Sequence, residues 1–497
     1  MFTNLGDLID RNRQPDKIAF IDLSDGTPRE VSYSTFDELT CGIARALLKE
    51  GIKRGERVAL LAANSAEYFA AACAIMRMGA VAVPVNFKFP RETVHFIIED
   101  CGAKFVFCDQ QRRSDCPPDL PYAVLGSKGQ GSLDSFLERG AFESVEPDAN
   151  EPAMFLYTSG STGVPKGVIL SHQSHLWVVD TRLGGGDLSH HIFLIAAPMF
   201  HMNALALSQL AMAAHASVVL LPQFDAGAYI DAVETFHCTW LTAVPPMIAM
   251  MLREPRFEHA DLSSVESIRM GSAPVSESLM RAVRKAFPEA AIINAYGTTE
   301  AGPVVFGKHP EGLATPALSV GCAHPNVELR LRGEGEPDQG VLEIKCPALM
   351  NDYHNRPDLE SPMTQDGFNI TGDVFRRDEN GFYFFVGRSD DMFVSGGENI
   401  YPGDVERMLE RHPDIVQSCV VPIADEIKGQ KPVAFVVLRA GSSVSSDAVK
   451  DFALRHAPAY QHPRFVYFMD KLPLSSTNKI DRATLMRVAE EKSGGMS

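Results

Sequence analysis

The tract Tyr157–Gly167, YTSGSTGVPKG, gathers three glycines, four serine or threonine hydroxyls and one lysine within eleven residues. Glycine-rich backbone offers N–H donors, and Ser159, Ser161 and Thr162 add O–H donors, so the tract can wrap a polyphosphate. Lys166 adds a point charge at its end. It is not the loop of a phosphoryl transferase of the P-loop type. That loop needs Gly-Lys followed directly by Ser or Thr, whereas Pro165 precedes Lys166 and Gly167 follows it. Pro165 also removes one backbone donor from the cradle. A lone Gly/Ser run is more often a surface linker. Its place directly behind the apolar run Ala153–Leu156, with a lysine at its end, favours an anion grip instead.

The elements that must position this grip follow a clear rhythm. Apolar runs such as 57–64, 80–86, 104–109, 191–198, 217–224, 239–246 and 291–297 alternate with helix-like segments. Continuous apolar strands separated by helices predict layered α/β sheets buried on both faces. The stretch 110–152, rich in Pro, Gly, Ser and Asp, reads as a connector between two sheet units. After about residue 320 the strands shorten and alternate, which fits a β-rich subdomain. Beyond Arg388 comes a compact α+β pattern, with a helix started by Tyr401-Pro402 and stopped by His412-Pro413. The expected architecture is a large N-terminal α/β domain, residues 1–389, and a small mobile α+β C-terminal domain, residues 390–497.

A length of 497 residues exceeds what one core usually supports. The formal charge of -17, from 46 basic and 63 acidic residues, argues against a nucleic-acid partner. Nine cysteines without a Cys-x-x-Cys pair fit neither a disulfide framework nor a zinc site. The longest apolar tract, 204–222, is interrupted by Ser208, Gln209, His215 and Ser217, so no membrane span is expected. Free thiols and the absence of a signal-type N-terminus predict a cytoplasmic protein.

The ordered set YTSGSTGVPKG, APMFH (197–201), MGSAP (270–274), NAYGTTE (294–300), TGD (371–373), GRSDDMFVSGGENIYPGDVE (387–406) and LPLSSTNKIDR (472–482) resembles the adenylate-forming ligases. The resemblance runs nearly the full length and points to their acyl-CoA synthetase branch. It implies a carboxylic acid, ATP, Mg²⁺ and coenzyme A as reactants, with acyl-AMP as the intermediate. Thr158, Ser159, Gly160, Ser161, Thr162, Gly163 and Lys166 would then hold the β- and γ-phosphates as the leaving pyrophosphate. Gly271, Ala273, Asn294, Ala295, Gly297 and Thr298 fall in the nucleotide-site motifs. Tyr296 would stack on adenine, Thr299 would donate to the α-phosphate, and Glu300 would ligate Mg²⁺. Asp373 resembles the residue that accepts the ribose hydroxyls, with Arg388 assisting. Lys479 would bridge carboxylate and α-phosphate in the first step. Asn478 stands where many relatives have glycine.

For thioester formation, the resemblance implies rotation of the C-terminal domain about Asp390. Lys479 would leave, and Gly396 and Gly397 would approach the pantetheine arm. Tyr460, His462 and Arg464 are the implied CoA contacts, while Lys428 replaces an expected aromatic ring. Reversible acetylation of Lys479 by a lysine acetyltransferase would remove its charge. A homodimer is compatible with the sequence.

His201 stands where amino-acid-activating relatives carry an aspartate, which argues against an amino-acid substrate. It is implied to gate the acyl pocket. The walls read as Trp177, Met202, Asn203, Ala204, Leu205, Ala295, Gly302, Pro303 and Val304, without an arginine for a second carboxylate. The expected substrate is a monocarboxylic acid with an uncharged tail, aromatic ahead of medium-chain aliphatic. Loading of a carrier protein and a catalytically silent nucleotide-binding regulator are the competing readings.

Overall fold

Strands enclosed on both faces carry side chains that pack in either direction, which is why they read as unbroken apolar runs. In the computed structural model, which describes residues 2–126, 131–159, 164–333, 337–359, 361–475 and 479–494, Arg57–Leu61 pairs in parallel with Val81–Pro84 and with Phe105–Asp109. Tyr122–Leu125 adds an edge strand to this sheet. The stretch expected to be only a connector therefore contributes a strand.

Toward the opposite edge of the same seven-stranded sheet lies an antiparallel hairpin, β1 (Pro152–Ser159) and β2 (Pro165–Ser171). Its register sets Thr158 opposite Lys166. The far edge is closed by Asp352–His354, which pairs with β2 and sets Tyr353 opposite Val168. Ser171 ends β2 and caps helix α1 (His172–Leu183), its hydroxyl accepting the Ser174 N–H. Glycines 184–186 follow the helix.

A second seven-stranded sheet carries β3 (Trp240–Ala243), β4 (Ser267–Met270) and β5 (Ala291–Asn294) in parallel at one edge. Thr242, Arg269 and Ile293 share one row across it. Helix α2 (Met202–Ala213) is buried at every residue from Ala204 onward, as expected of a helix that is apolar all round. The main core lies between the two sheets. It joins Leu60 and Val168 of the first to Phe193 and Val218 of the second, around the wholly buried helix Ala66–Arg77. Each buried Leu or Phe there contributes roughly 1.5–3 kcal/mol.

A six-stranded antiparallel sheet follows, with β6 (Asn369–Arg377) and β7 (Tyr383–Arg388) paired so that Asp373 faces Arg388. The small C-terminal domain begins with a hairpin, β8 (Phe393–Ser395) and β9 (Glu398–Ile400). Gly396 and Gly397 form its turn at φ 63° and 90°, a left-handed pair that glycine adopts without strain. Helix α3 (Pro402–Leu409) starts with its proline in the first turn, as the sequence predicts. All nine cysteines are buried and unbridged. Among the described residues, no helix is long and apolar enough to cross a membrane.

Candidate active site

The C-terminal ends of the second sheet, the β1–β2 hairpin, the third sheet and the small domain surround one cleft of about 2030 Å³. That volume exceeds the usual 300–1,000 Å³ of a drug-sized pocket, leaving room for a nucleotide and a second reactant. On one wall, Lys166 Nζ donates to the Tyr353 hydroxyl at 2.6 Å and also lies 4.0 Å from the centre of its ring. The Tyr353 hydroxyl donates in turn to Glu300 Oε1 at 2.9 Å. Lys166 Nζ is itself 3.5 Å from that oxygen. Burial, then the Glu300 charge, push the Tyr353 phenol well above its ordinary pKa, so it stays a donor.

The backbone behind Glu300 is tightly specified. The Thr298 hydroxyl accepts the Ala301 N–H at 3.0 Å. A Cβ on Gly297 would stand 2.6 Å from the Gly302 carbonyl oxygen and 2.7 Å from Pro303 Cα. Only glycine fits there. The Asn294 amide donates to the Leu318 carbonyl at 2.8 Å, which anchors the strand end from which Tyr296 projects.

Tyr296 donates to Asp373 Oδ2 at 2.6 Å, while Arg388 Nη1 donates to Asp373 Oδ1 at 3.1 Å. The Tyr296 ring meets Phe375 and Phe306 edge-on. Burial raises the Asp373 carboxyl above the usual aspartate range, with Arg388 opposing. Arg388 also holds both oxygens of Asp390, at 2.7 and 3.1 Å. Lys479 reaches into the solvent of the cleft, yet the two domains enclose it on its flanks. That enclosure lowers its ammonium below the ordinary lysine pKa, against the pull of Asp373. His201 precedes α2 without capping it. Burial, followed by the charges of Lys479 and Lys88, lowers its imidazole to about 3, so the ring is neutral.

This arrangement can hold a polyphosphate at Lys166, a ribose at Asp373 and a reacting carboxylate at Lys479. The profile of the AMP-binding enzyme family matches residues 10–354, and that of the AMP-binding enzyme C-terminal domain matches residues 404–479. The chain belongs to the AMP-binding enzyme family. Its relatives include indoleacetate–CoA ligase of Aromatoleum aromaticum, 32% identical over 484 residues, covering 93% of this chain and 94% of that protein. Among solved structures, ATP-bound MatB from Rhodopseudomonas palustris is 27% identical, covers 99% of both chains and superposes with a TM-score of 0.90. The apo form of the same protein gives 0.80, so the chain fits the ATP-bound arrangement better. The anthranilate CoA ligase AuaEII with anthranoyl-AMP is 25% identical, covers 99% of this chain and 98% of its own, and has a TM-score of 0.88. These relatives set the AMP-binding enzyme in the adenylate-forming acid–CoA ligase branch, with ATP and CoA as family substrates.

In this AMP-binding enzyme the cleft is lined by Thr158, Lys166, His201, Met202, Asn203, Gly271, Ala273, Asn294, Ala295, Tyr296, Gly297, Thr298, Thr299, Glu300, Pro303, Asp373, Arg388, Asp390 and Lys479. Gly160, Ser161, Thr162 and Gly163, and the side chain of Ser159, lie outside the described residues. Five residues expected on the acyl wall are elsewhere. Ala204 and Leu205 are buried in the core between the sheets. Gly302 is pressed against Ala348, Val304 sits in the core beside it, and Trp177 packs against that core and edge-on to His324. Their apolar character is spent on packing.

Gly396, Gly397, Tyr460, His462 and Arg464 do not line the cleft. The Gly396 N–H donates to the Lys428 carbonyl at 2.9 Å, and Lys428 shares a shallow hollow with Arg464 and Lys431. The sequence reading missed Tyr353, because nothing local marks a lone tyrosine as the neighbour of a lysine 187 residues earlier. It also missed Arg182 and Arg269, which line the same cleft.

Proposed function

We propose that this acid–CoA ligase activates an aromatic carboxylic acid, with the work divided between two clusters in the cleft. The observation that carries the reading is the convergence of Lys166, Tyr353 and Glu300 with Asp373, Arg388 and Lys479 around one space. In the first step the carboxylate oxygen attacks the α-phosphorus of ATP, and the bond to the β-phosphate oxygen breaks. Acyl-AMP forms and pyrophosphate leaves. Lys166 and the tract before it neutralise the departing charge. Thr299 donates to the α-phosphate, and Lys479 offsets the charge that shifts between carboxylate and phosphate. Tyr296 and Asp373 hold the adenosine. Each Asp373 oxygen keeps a lone pair for a ribose hydroxyl beyond the bonds from Tyr296 and Arg388.

Glu300 suits a hard cation. Its Oε1 accepts from Tyr353, and its Oε2 has no hydrogen bond among the described residues, an open oxygen ligand of the kind Mg²⁺ takes. Mg²⁺ held there would neutralise phosphate charge.

In the second step the CoA thiolate attacks the acyl carbon, the mixed anhydride breaks and AMP leaves. We assign the domain boundary to Ser389–Asp391 and the pivot to Asp390. This is supported by the absence of the Gly396–Gly397 turn and Arg464 from the lining of the cleft that holds Lys479, since one surface must replace the other. A neutral His201 at the cleft wall suits an acyl gate, having no charge to repel or trap the substrate carboxylate. Acetylation of Lys479, exposed in the cleft, would switch off the first step. The aromatic class is supported by the indoleacetate and anthranilate ligases among the relatives.

The test is parallel measurement of pyrophosphate and AMP release with ATP, Mg²⁺ and CoA across benzoates, arylacetates, hydroxycinnamates and C4 to C12 fatty acids. Both products plus a CoA thioester from an aromatic acid support the reading. Best turnover with a fatty acid would overturn the aromatic assignment, and pyrophosphate without a thioester would favour carrier-protein loading.

A further inference from the structure

Several arginines that line the cleft, Arg182 and Arg269 among them, have no acidic partner among the described residues. Arg182 lies near the end of α1 and Arg269 on β4, and both line the same cavity as His201, Asn203 and Pro303. Arg269 Nη2 donates to the Pro303 carbonyl at 3.2 Å, and no ion pair involves either arginine among the described residues. The route from α1 to this wall is direct. A Cβ on Gly302 would meet Val178 of α1 at 3.6 Å, and Arg182 stands one helical turn beyond Val178.

The row that carries Arg269 also carries Thr242, whose buried hydroxyl oxygen has no hydrogen-bond partner. Residues paired in parallel register project from the same face of a sheet, so Thr242 and Arg269 share one face. A buried guanidinium normally has a carboxylate beside it; Arg77 in this chain has Asp37 at 2.7 Å and Asp7 at 3.3 Å. Arg182 and Arg269, both half-buried, have no carboxylate within ion-pair distance among the described residues. Burial, then the charge of Arg269, holds the Arg182 guanidinium well below its ordinary pKa, and burial lowers Arg269 to about 10. Two like charges in a wall of a ligand cleft are costly, and a bound anion would repay that cost.

We infer that Arg182 and Arg269 form an anion-binding subsite for a second acidic group on the substrate, remote from the carboxylate that is activated. The substrate class is therefore a carboxylic acid whose tail ends in a carboxylate or an equivalent anion. Arginine suits this task, since its planar fork matches a carboxylate through two parallel hydrogen bonds. Sequence reading predicts an uncharged tail because neither arginine lies in a segment that marks the acyl wall; only the tertiary structure brings both to one cleft.

The inference rests on the ligase reading, and the test separates the two. Pyrophosphate release by the full-length enzyme is measured with matched acids that differ only by a remote carboxylate: phenylacetate against 4-carboxyphenylacetate, 3-phenylpropionate against its 4-carboxy analogue, and hexanoate against adipate. A site built to pair a charge discriminates strongly against the analogue that lacks it, so kcat/KM should favour one di-acid of the set by about 10²-fold or more. In Arg182→Met and Arg269→Met that ratio should collapse toward one. A wild-type preference for every mono-acid overturns the inference while leaving the ligase reading intact. So does a di-acid preference that both variants retain.

If no acid on the panel releases pyrophosphate, the ligase reading with these acids fails, and thermal unfolding still decides the subsite. Removing one of two repelling cations should leave the melting temperature of the substrate-free Arg182→Met protein unchanged or higher. A lower value would mean that the arginine serves the fold, which overturns the inference.

Discussion

Lys166 and Tyr353 are 187 residues apart in the chain and 2.6 Å apart in the structure, with Glu300 closing the triangle through the Tyr353 hydroxyl. The hydroxyl accepts from the lysine and donates to the carboxylate. It fixes both at a set spacing before any phosphate arrives.

Tyr353→Phe removes that link and keeps the ring. Hydrogen bonds to charged groups contribute roughly 1.5–3 kcal/mol, so kcat/KM for ATP in pyrophosphate release should fall by about 10- to 100-fold. Circular dichroism and the melting temperature should change little, since the ring still packs. An unchanged ATP dependence would remove Tyr353 from the site.

Lys479→Ala should lower the adenylation rate by about 10²–10³. Thioester formation from pre-formed acyl-AMP should survive, because that step does not use the ammonium. The enclosure of Lys479 lowers its pKa, so the alkaline limb of the adenylation profile should fall below the ordinary lysine value and move up in Lys479→Arg. Equal loss of both half-reactions in the alanine variant would refute the division of labour.

Gly297→Ala places a methyl carbon 2.6 Å from the Gly302 carbonyl oxygen and 2.7 Å from Pro303 Cα. The backbone must move. The cost is about 1–3 kcal/mol of stability, read by urea denaturation, together with weaker ATP binding because Tyr296 and Glu300 flank the shift. Wild-type affinity and stability would show that the loop yields freely.

Glu410 follows α3 and takes the Ser418 N–H at 2.9 Å, with Ser276 of the large domain beside it. Burial raises its carboxyl to about 7. A raised carboxyl is protonated in the packed arrangement. Its contribution is therefore fully present below the ordinary glutamate pKa and is lost as pH rises through about 7. Contact between the domains should loosen from pH 6 to 8, as followed by small-angle scattering, and Glu410→Gln should flatten that response. An identical scattering change in the glutamine variant would rule Glu410 out as its source.

The alternation of apolar runs and helices was enough to predict the layered α/β sheets, because strand burial and helix periodicity are local patterns. The same holds for the start of α3 at Pro402, where the fixed φ of proline suits a first helical turn. Motif order marked residues that meet in one cleft, from Lys166 through Tyr296, Asp373 and Arg388 to Lys479. Tertiary structure decided what lies across from those motifs. Asp352–His354 joins the first sheet beside β2 and delivers Tyr353; no local signal encodes which edge a three-residue strand will complete. Ala204, Leu205 and Val304 read as pocket walls but were claimed by the core, since an apolar side chain looks the same in sequence whether it faces a ligand or a neighbour. Arg182 and Arg269 look like ordinary surface cations until the fold sets both in the wall of one cleft. What a charge faces is a property of packing, and packing is where the acyl side of this site was determined.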